Sequence, residues 1–466
     1  MKIGIVGPTA DARSLPFDAQ RTINLYPVKD KAGKEVSALY GTPGLVSFAT
    51  FGAGPIRGCL ASDDGNAYFV SAAHLYSVSS LGVAENLGTL EGTTGKVSMA
   101  ENSTQLAICD GSSLYIYTYE TGVFAKVTDV DIPTCGVVAS IDGYFVVNSL
   151  NTGRFYISAL NDGTSWDALD FATAESSHDN LITIVNAVGQ LWLFGSNTTE
   201  IWTDSGDSVF PFKRITGAKM EVGCLAAHAA VSVDNSVIWV GRDKFGQGIV
   251  YRAKGFSPMR ISTESIEKKI QAATSPEDLC AFSYQEEGHL FYVLTGGGLE
   301  TTLVFDITTQ EWHERAYLNS DGDLESHRAY CYMFCYGKHF VGDKELGKVY
   351  EQKLDYYDDD GEEIARERIY THLSDENKRI RYNNLEIGFE TGVGLQSGNG
   401  SNPLVSLQLS KDGARTWSDS HTATIGASGQ YQTNVCFRRL GVAQQMTFKI
   451  RITDPIKVAI VGSYLT

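Results

Sequence analysis

Short apolar strands separated by tight turns recur along most of the chain. Each unit runs from an apolar strand through a turn at Gly, Asn or Asp to a second strand, then through a loop to a third. The second strands are almost entirely apolar, and they read AYFV, QLAIC, YFVV, QLWLF, SVIWV, LFYVL and KHFVG. A strand covered on both faces shows such an unbroken apolar run, so we expect these strands to lie between neighbouring sheets.

The turns of these units recur about every 40 to 50 residues, the spacing of four-stranded blades in a β-propeller. Gly, Asn and Asp accept the positive φ angles that tight hairpins require. The turns lie at Asp64-Gly65, Asn102, Asp142-Gly143, Gly189, Asp234-Asn235, Gly288 and Gly337. The pattern predicts an all-β protein with a propeller of about seven blades over residues 51–353, and it leaves counts of six and eight open.

Three segments depart from the blade pattern. Residues 1–50 lack it and predict an extended N-terminal arm, and SIEKKIQAATSPEDL (Ser265 to Leu279) predicts a helix between the fifth and sixth units. Residues 354–378 form an acidic connector. Residues 379–466 alternate apolar and polar positions, which predicts a small antiparallel β-sandwich separate from the propeller.

Composition and charge limit the classes of function that the protein can have. The formal net charge of -17 disfavours non-specific binding to nucleic acid or to an anionic membrane, because few cations are available to displace counterions. No apolar run approaches the roughly 20 residues of a membrane-spanning helix, and the N-terminal apolar run is too short for a secretory signal. The eight scattered Cys residues predict buried free thiols. We therefore expect synthesis in a cytoplasm.

Three candidate ligand sites are rejected because their residues do not match the pattern that the ligand requires. KIGIVGPTADARS starts like a dinucleotide-binding motif, but Pro8 and Pro16 interrupt the position of the helix. His327, Cys331, Cys335 and His339 are spaced by four on a predicted strand, about 13 Å apart, which is too far for one zinc ion. The acidic run from Asp358 to Glu363 lacks a complete calcium pattern, so we expect a solvated turn. No cofactor or metal is predicted.

The segment SKDGARTW, Ser410 to Trp417, is similar to the Asp-box hairpin of sialidases and other carbohydrate-active propellers. It occurs once, lies in the C-terminal sandwich, and has Gly413 and Ala414 shifted from the usual pattern. GxSxG, HExxH and P-loop motifs are absent from the sequence. We therefore expect no enzyme activity and predict a structural hairpin that depends on Ser410, Asp412, Gly413 and Trp417.

A series of short motifs, in order along nearly the whole chain, carries a resemblance to a known family. They are Asn24-Leu25-Tyr26-Pro27, Thr42-Pro43-Gly44, Ile56-Arg57-Gly58, Val97-Ser98-Met99-Ala100, Ser265-Ile266-Glu267-Lys268, Leu303-Val304-Phe305-Asp306, Phe437-Arg438-Arg439 and Phe448-Lys449-Ile450-Arg451. The chain resembles the packaged-DNA stabilisation proteins of short-tailed (podovirus) phages, also called tail hub or tail nozzle proteins.

The resemblance implies a structural protein of the virion tail, made in the host cytoplasm. It implies a homo-hexameric ring below the portal and the head-to-tail adaptor protein, which continues the DNA channel and supports genome ejection. It also implies contacts with a tail needle or plug and with a tailspike or fibre. An acidic lumen lets double-stranded DNA pass without sequence-specific binding, whereas a basic lumen grips it.

Assembly contacts are predicted in the arm, where an extended segment needs a surface to lie on. The candidates are Arg21, Asn24, Tyr26, Pro27, Pro43 and Gly44. Packing of the arm on its own propeller is an equal alternative. The sequence also leaves open a carbohydrate-active propeller (sialidase- or depolymerase-like), a glycan- or fibre-binding propeller, and whether the hexamer exists in solution or only in the assembled tail.

Overall fold

The computed structural model describes residues 1–466 except 16, 30–36, 175–178, 208–209, 371 and 377. Five strands form in the N-terminal segment, which we define as residues 1–50 without the undescribed positions. They are β1 (Lys2–Ile3), β2 (Arg21–Ile23), β3 (Leu25–Lys29), β4 (Ser37–Gly41) and β5 (Gly44–Thr50).

The next four sheets each contain four antiparallel strands that follow one another in sequence. Blade one has β6 (Ile56–Ala61), β7 (Ala67–Ser71), β8 (His74–Val78) and β9 (Ala84–Thr89). Blade two has β10 (Ser98–Glu101), β11 (Gln105–Cys109), β12 (Leu114–Thr118) and β13 (Val123–Lys126). Blade three has β14 (Cys135–Ile141), β15 (Tyr144–Ser149), β16 (Arg154–Ala159) and β17 (Asp162–Thr173). Blade four has β18 (Leu181–Ala187), β19 (Gln190–Gly195), β20 (Thr199–Asp204) and β21 (Phe212–Met220).

Three further blades complete the propeller. Blade five has β22 (Gly223–Cys224), β23 (Val231–Val233), β24 (Ser236–Arg242), β25 (Gln247–Lys254) and β26 (Ser257–Arg260). Blade six has β27 (Leu279–Glu286), β28 (His289–Gly296), β29 (Thr302–Asp306) and β30 (Glu311–Leu318), with β31 (Leu324–Ser326) paired to β30. Blade seven has β32 (Ala329–Cys335), β33 (Lys338–Asp343), β34 (Lys348–Lys353) and, as its fourth strand, β5.

Strand β5 closes the ring of blades. It pairs antiparallel with β34, so that Gly44 lies opposite Lys353 and Thr50 lies opposite Lys348. The chain then continues directly into blade one, whose first strand, β6, contacts β32 of blade seven. Strands β7 and β11 are buried along their whole length, as expected for strands between neighbouring blades. The predicted propeller is confirmed, and the described residues form seven blades.

The predicted helix is shorter than the sequence indicated. Helix α1 spans Glu264–Gln271, and a separate 3₁₀ turn spans Pro276–Asp278. Pro276 lacks a backbone N–H, so the α-helical hydrogen bonding cannot run through it to Leu279. Ile266 and Ile270 are buried against blades five and six, which fixes the helix across the gap between them.

Strands after the propeller build the connector and the sandwich. They are β35 (Asp358–Asp359), β36 (Glu362–Glu363), β37 (Arg366–Ile369), β38 (Leu373–Ser374), β39 (Ile380–Phe389), β40 (Leu404–Ser410), β41 (His421–Thr424), β42 (Val435–Ala443), β43 (Gln445–Ile452) and β44 (Ala459–Leu465). One sheet has the order β3-β4-β44-β39-β42, with β1 also on β44. The other contains β37-β43-β40-β41, and both sheets bury one shared apolar core.

The N-terminal segment joins the sandwich to the propeller. Strand β2 pairs in parallel with β30 of blade six and antiparallel with β37 of the sandwich, so a single sheet of 11 strands runs through both. The N-terminal segment thus packs on both domains of its own chain. The reason is that the outer edges of blade six and of the sandwich sheet both have unpaired backbone groups, and one short strand satisfies both.

Replacing Gly65, in the turn of blade one, is expected to strain the backbone and lower stability. Gly65 has φ +86, and a Cβ added there meets no atom within 4 Å. Gly65→Ala should therefore lower the free energy of unfolding by about 1 kcal/mol through backbone strain alone. Gly4→Ala is the matched control, because a Cβ there is equally free and no positive φ is involved. Urea unfolding of the two variants checks this, and equal stabilities would contradict it.

Candidate functional site: the junction between propeller and sandwich

The N-terminal segment holds the propeller and the sandwich together, and the predicted assembly residues lie in it. Arg21 is half-buried and the other five, Asn24, Tyr26, Pro27, Pro43 and Gly44, are buried. Each of the six contacts other segments of the same chain.

Arg21 forms a two-point ion pair with Glu314 of blade six. Its Nε and Nη2 donate to Glu314 Oε1 and Oε2 at 3.1 and 2.6 Å. Thr9, Thr301 and Lys269 also direct donors at this carboxylate, which is fully buried. Burial alone raises the pKa of Glu314, but Arg21, Lys269 and the hydrogen bonds outweigh it and lower that pKa to about 2.

Asn24 connects three parts of the molecule through one amide. Its Nδ2 donates to the carbonyl oxygens of Ala316 and Ala365 at 2.9 Å each, and its Oδ1 accepts the Ala316 N–H at 2.9 Å. The residue has φ 53, a left-handed conformation that Asn tolerates better than most side chains. Asn at this position therefore satisfies both the backbone shape and the buried polar groups.

Tyr26 and Pro27 place β3 against blade six. The Tyr26 ring meets the rings of Phe291 and His289 edge-on, with centroids 5.5 and 5.3 Å apart. Burial raises the pKa of the Tyr26 hydroxyl, so the side chain is neutral across the physiological range. Pro27 lies opposite Leu39 in the β3–β4 hairpin.

Pro43 and Gly44 fix the start of β5. The Pro43 carbonyl accepts a hydrogen bond from Nη2 of buried Arg315 at 2.9 Å. A Cβ at Gly44 would lie 2.3 Å from the Asp358 carbonyl oxygen and 2.6 Å from that of Tyr356. Only glycine allows this close approach of the connector to the closing strand.

Arg368, which sequence reasoning did not single out, is the strongest polar anchor of the junction. It is fully buried on β37 and donates to the carbonyl oxygens of Ile5, Pro8 and Arg21, to Thr22 Oγ1 and to Gln20 Oε1. Burial lowers the pKa of Arg368 to about 10, so the guanidinium is charged at neutral pH. It lies in the segment predicted as an acidic connector and outside the recognised motifs, so the sequence carried no signal for its role.

The six candidate residues thus act inside the subunit in this structure. Of the two alternatives left open, packing on the chain's own domains describes every contact they make here. Their role in assembly stays a prediction, and it can operate through the positions of the surfaces that they hold.

The residues of the rejected ligand sites pack within the fold. Cys331 and Cys335 lie on β32 and pack against blade one. Among the described residues no group of three His, Cys, Asp or Glu side chains is arranged to hold a metal ion. The acidic connector is not a wholly solvated turn, because Asp359 is 2% exposed and burial raises its pKa to about 6. No helix in the described ranges is both long and apolar enough to span a bilayer.

The SKDGARTW segment forms a turn held by two polar side chains. Asp412 Oδ1 accepts the N–H groups of Arg415 and Thr416 at 3.0 Å, and Ser410 Oγ accepts the Ala414 N–H at 2.8 Å. The Thr416 and Ser410 hydroxyls also donate to Asp412, and these bonds hold its pKa well below its usual range. Lys449 lies over the Trp417 ring, 4.8 Å from its centroid.

Loss of the Asp412 carboxylate is expected to loosen this turn without unfolding the protein. Asp412→Ala should lower the melting temperature by about 1–3 °C, since the turn lies at the surface of a large molecule. Asp419→Ala, in the same loop and exposed, is the matched control and should have no effect. Differential scanning calorimetry measures both, and unchanged stability in Asp412→Ala together with loss of a sugar-cleaving activity would contradict the structural interpretation.

Comparisons with solved structures find matches of low sequence identity, each with a TM-score below 0.5. The computationally designed Ika8 protein is 13% identical, with 66% of this chain and 99% of that chain covered and a TM-score of 0.38. The N-terminal domain of Nup159 is 9% identical, with 72% and 99% covered and a TM-score of 0.42. YCF48 bound to D1 peptide is 10% identical, with 67% and 97% covered and a TM-score of 0.41. No curated protein matches the sequence.

Two family models cover almost the whole chain in succession. The model described as bacteriophage P22 Gp10, beta-propeller, matches residues 1–356. The model described as bacteriophage P22 Gp10, beta-sandwich, matches residues 365–466. The stretch between the two matches, residues 357–364, lies in the connector and contains β35 and β36.

Proposed function

The chain belongs to the bacteriophage P22 Gp10 family of structural phage tail proteins, and on this premise we propose that six copies form a ring that continues the DNA channel below the portal and the adaptor. The observation that carries the proposal is the match to both family domains, in order, over residues 1–356 and 365–466. In this role the protein is a non-enzymatic part of the virion tail.

The joined domains support a subunit that carries mechanical load. The 11-stranded sheet and the side chains of Arg21, Asn24 and Arg368 connect propeller and sandwich through hydrogen bonds as well as apolar packing. Hinge motion between two domains requires an interface with few such connections. A ring below a DNA-filled head experiences pressure, so a subunit that moves as one body suits that position.

The charge balance supports passage of DNA rather than its retention. With a net charge of -17, the subunit offers few cations to neutralise phosphates. We propose that duplex DNA passes through the ring during ejection without sequence-specific contact. A tail needle below the ring and a tailspike or fibre at its side complete the proposed set of partners.

The N-terminal segment has a positioning role in this proposal. Head-to-tail ring contacts need two different matching surfaces on each subunit. By fixing blade six and the sandwich in one sheet, the segment sets the angle between the surfaces of the two domains. Arg21, Asn24, Tyr26, Pro27, Pro43 and Gly44 would then affect assembly through the shape of the subunit.

The mass of the assembled species tests the proposal. Native mass spectrometry and negative-stain microscopy of the purified chain with its adaptor should show a ring with six times the subunit mass of 50.7 kDa. The same chain without adaptor is the control, and a monomer there is compatible with assembly on the adaptor. A chain that stays monomeric with the adaptor present would overturn the proposal.

A further inference from the structure

Charge is divided unevenly along the chain. Residues 365–466 contain 12 Lys and Arg and 8 Asp and Glu, whereas residues 1–364 contain 26 and 47. The formal net charge is therefore +4 for the C-terminal part and -21 for the rest. Solubility needs charge of only one sign, so a basic part in an acidic chain calls for another explanation.

Five cationic side chains of the sandwich are exposed around the β39–β42 strand pair. We call them the basic surface, and they are Arg379, Arg381, Lys411, Arg438 and Arg439. In the register of the pair, Arg381 lies opposite Val442 and Arg438 lies opposite Asn384. Leu385 and Phe437, the next pair along, belong to the core, so Arg438 faces away from the core.

Arg379 and Lys411 extend the basic surface beyond the strands. They line an open hollow of about 660 Å³ together with residues 442–445. A Cβ at Gly441 would lie 3.3 Å from Lys411 Nζ, so the Lys411 side chain lies over β42 near its end. Val442 lies among these cations and is 46% exposed. Arg beside an exposed apolar side chain is the composition of a protein interface.

Carboxylates of the same chain leave the basic surface unpaired. In the described ranges, the ion pairs of the C-terminal part are Lys378–Glu376, Arg451–Glu367 and Lys457–Glu390. Asp412 adjoins Lys411, but both of its oxygens accept hydrogen bonds of the turn. Glu386 is exposed farther along β39. The five cations are therefore available to an acidic partner, and the donor fork of Arg suits carboxylates in particular.

The complementary charge lies on the propeller. Blades one to three, residues 56–173, contain 13 Asp and Glu and four Lys and Arg. Because the strands of a blade are antiparallel, its first and third turns lie at the same face of the propeller. Six carboxylates lie at these turns, and we call them the acidic surface: Asp63, Asp64, Glu101, Glu120, Asp142 and Asp162.

Hydrogen bonds join these turns into one surface. The Asp63 N–H donates to Glu101 Oε1 at 3.1 Å, between blades one and two. The Thr104 hydroxyl donates to the Asn161 carbonyl oxygen at 3.3 Å, and the Asn161 N–H donates to the Gly143 carbonyl oxygen at 2.9 Å, which connects blade two to both turns of blade three. Among the described residues of these blades, the one ion pair is Lys126–Glu91, so the acidic surface is unpaired as well.

The two surfaces lie apart within one subunit. Strand β2 attaches the sandwich to blade six, whereas blades one to three are separated from blade six by blade seven on one side and by blades four and five on the other. None of the ion pairs in the described ranges joins the sandwich to blades one to three. A second copy can therefore supply the acidic surface that the basic surface lacks.

We propose that the basic surface docks on the acidic surface of a second copy of this chain, and that this contact, which rests on the proposed function, joins neighbours in the ring. A contact between two different surfaces leaves one of each free, so it repeats from copy to copy until the ring closes. Complementary charge sets the register of such a contact and speeds its formation. Duplex DNA, another polyanion, is disfavoured because the rest of the chain, with a charge of -21, repels it.

Charge reversal on the full-length chain tests the contact. The sandwich variant is Arg381→Glu with Arg438→Glu, and the propeller variant is Asp63→Lys with Glu120→Lys, all at exposed positions. With the adaptor present, each variant alone should raise the concentration at which half of the subunits assemble by at least about tenfold, because like charges then face each other. Sedimentation velocity measures this concentration.

An equal mixture of the two variants should restore the ring. The acidic sandwich of one variant then meets the basic propeller of the other, and the two alternate around six positions. Lys244→Glu with Lys268→Glu reverses two exposed cations of the propeller region and is the matched control, which should assemble as the native chain does.

Native-like assembly of either variant alone, or a mixture that assembles no better than its components, would overturn the proposed contact. The native chain with adaptor is measured first: without a native ring the proposed function fails too, whereas a native ring that the variants leave unchanged overturns the contact alone. Circular dichroism checks folding. If the sandwich variant does not fold, Arg379→Glu with Lys411→Glu replaces it, and Asp63→Lys alone replaces a misfolded propeller variant.

Fluorescence anisotropy with a short DNA duplex tests the other polyanion. The native chain should not bind the duplex saturably at physiological salt. Saturable binding that the sandwich variant loses, together with unchanged assembly of that variant, would overturn the proposal and assign the basic surface to nucleic acid.

Discussion

Replacing Glu314 with Gln is expected to lower the free energy of unfolding by about 3–4 kcal/mol at pH 7. The substitution keeps the shape of the side chain and removes only its charge. Arg21 Nη2, 2.6 Å away, would then lose its paired carboxylate, while Lys269 Nζ, 3.4 Å away, would keep only its pair with Asp11 at 3.2 Å. Because Glu314 is fully buried, water cannot replace that partner.

The pH dependence of the free energy of unfolding tests the role of Glu314 separately. The pKa of Glu314 is lowered from 4.5 to about 2 in the folded protein, so the group binds a proton less readily there than in the unfolded chain. Its contribution to stability is therefore complete above about pH 4.5 and is lost as the pH falls towards 2. Glu314→Gln should lack this part of the acid sensitivity of the native protein.

Urea unfolding between pH 3 and pH 7 measures both effects, with Glu85→Gln as the control because Glu85 is exposed on β9. The control should match the native protein at every pH. Native-like stability of Glu314→Gln at pH 7, or an unchanged acid transition, would show that the Arg21–Glu314 pair does not hold the junction.

Replacing Arg368 with Met is expected to lower the free energy of unfolding by about 3–5 kcal/mol. Met fills a similar length of space, so the loss arises from hydrogen bonds rather than from a cavity. Three carbonyl oxygens of the N-terminal segment, those of Ile5, Pro8 and Arg21, lose their guanidinium donor in a buried region. Each buried acceptor without a partner costs about 1 kcal/mol or more.

The location of the change distinguishes this variant from general destabilisation. Amide hydrogen exchange should accelerate first in residues 2–23, which Arg368 holds against β37 and blade six, while β7 and β11 inside the blades keep their protection. Arg381→Met, an exposed Arg on β39, is the control and should leave exchange unchanged. Uniform acceleration across all blades would contradict an anchoring role for Arg368.

The recognised motifs acquire a physical explanation from the structure. Arg57, in the motif Ile56-Arg57-Gly58, is fully buried and donates to the carbonyl oxygens of Ala72, Gly92, Thr94 and Gly95. Asn24, in the motif Asn24-Leu25-Tyr26-Pro27, bridges two other segments. These two motifs therefore each contain a buried polar side chain that several backbone groups depend on, which few residue types can replace.

The propeller could be predicted from the sequence because each strand and turn is indicated by residues within a few positions of it. Apolar runs such as AYFV and QLAIC, with turns at Gly65 and at Asp142-Gly143, report burial and backbone shape within a few residues. The charge of -17 and the single SKDGARTW segment likewise limited the function without any three-dimensional information.

Only the tertiary structure decided how the ends of the chain are used. Pairing of β5 with β34, of β2 with β30 and β37, and of β1 with β44 joins residues separated by hundreds of positions, and short edge strands carry no local mark of their partners. The same holds for Arg21 and Arg368, because the sequence around them indicates neither how far they are buried nor which groups they bind. Their roles come from groups that the fold assembles around them, since the free energy of a charge depends on its surroundings rather than on its position in sequence.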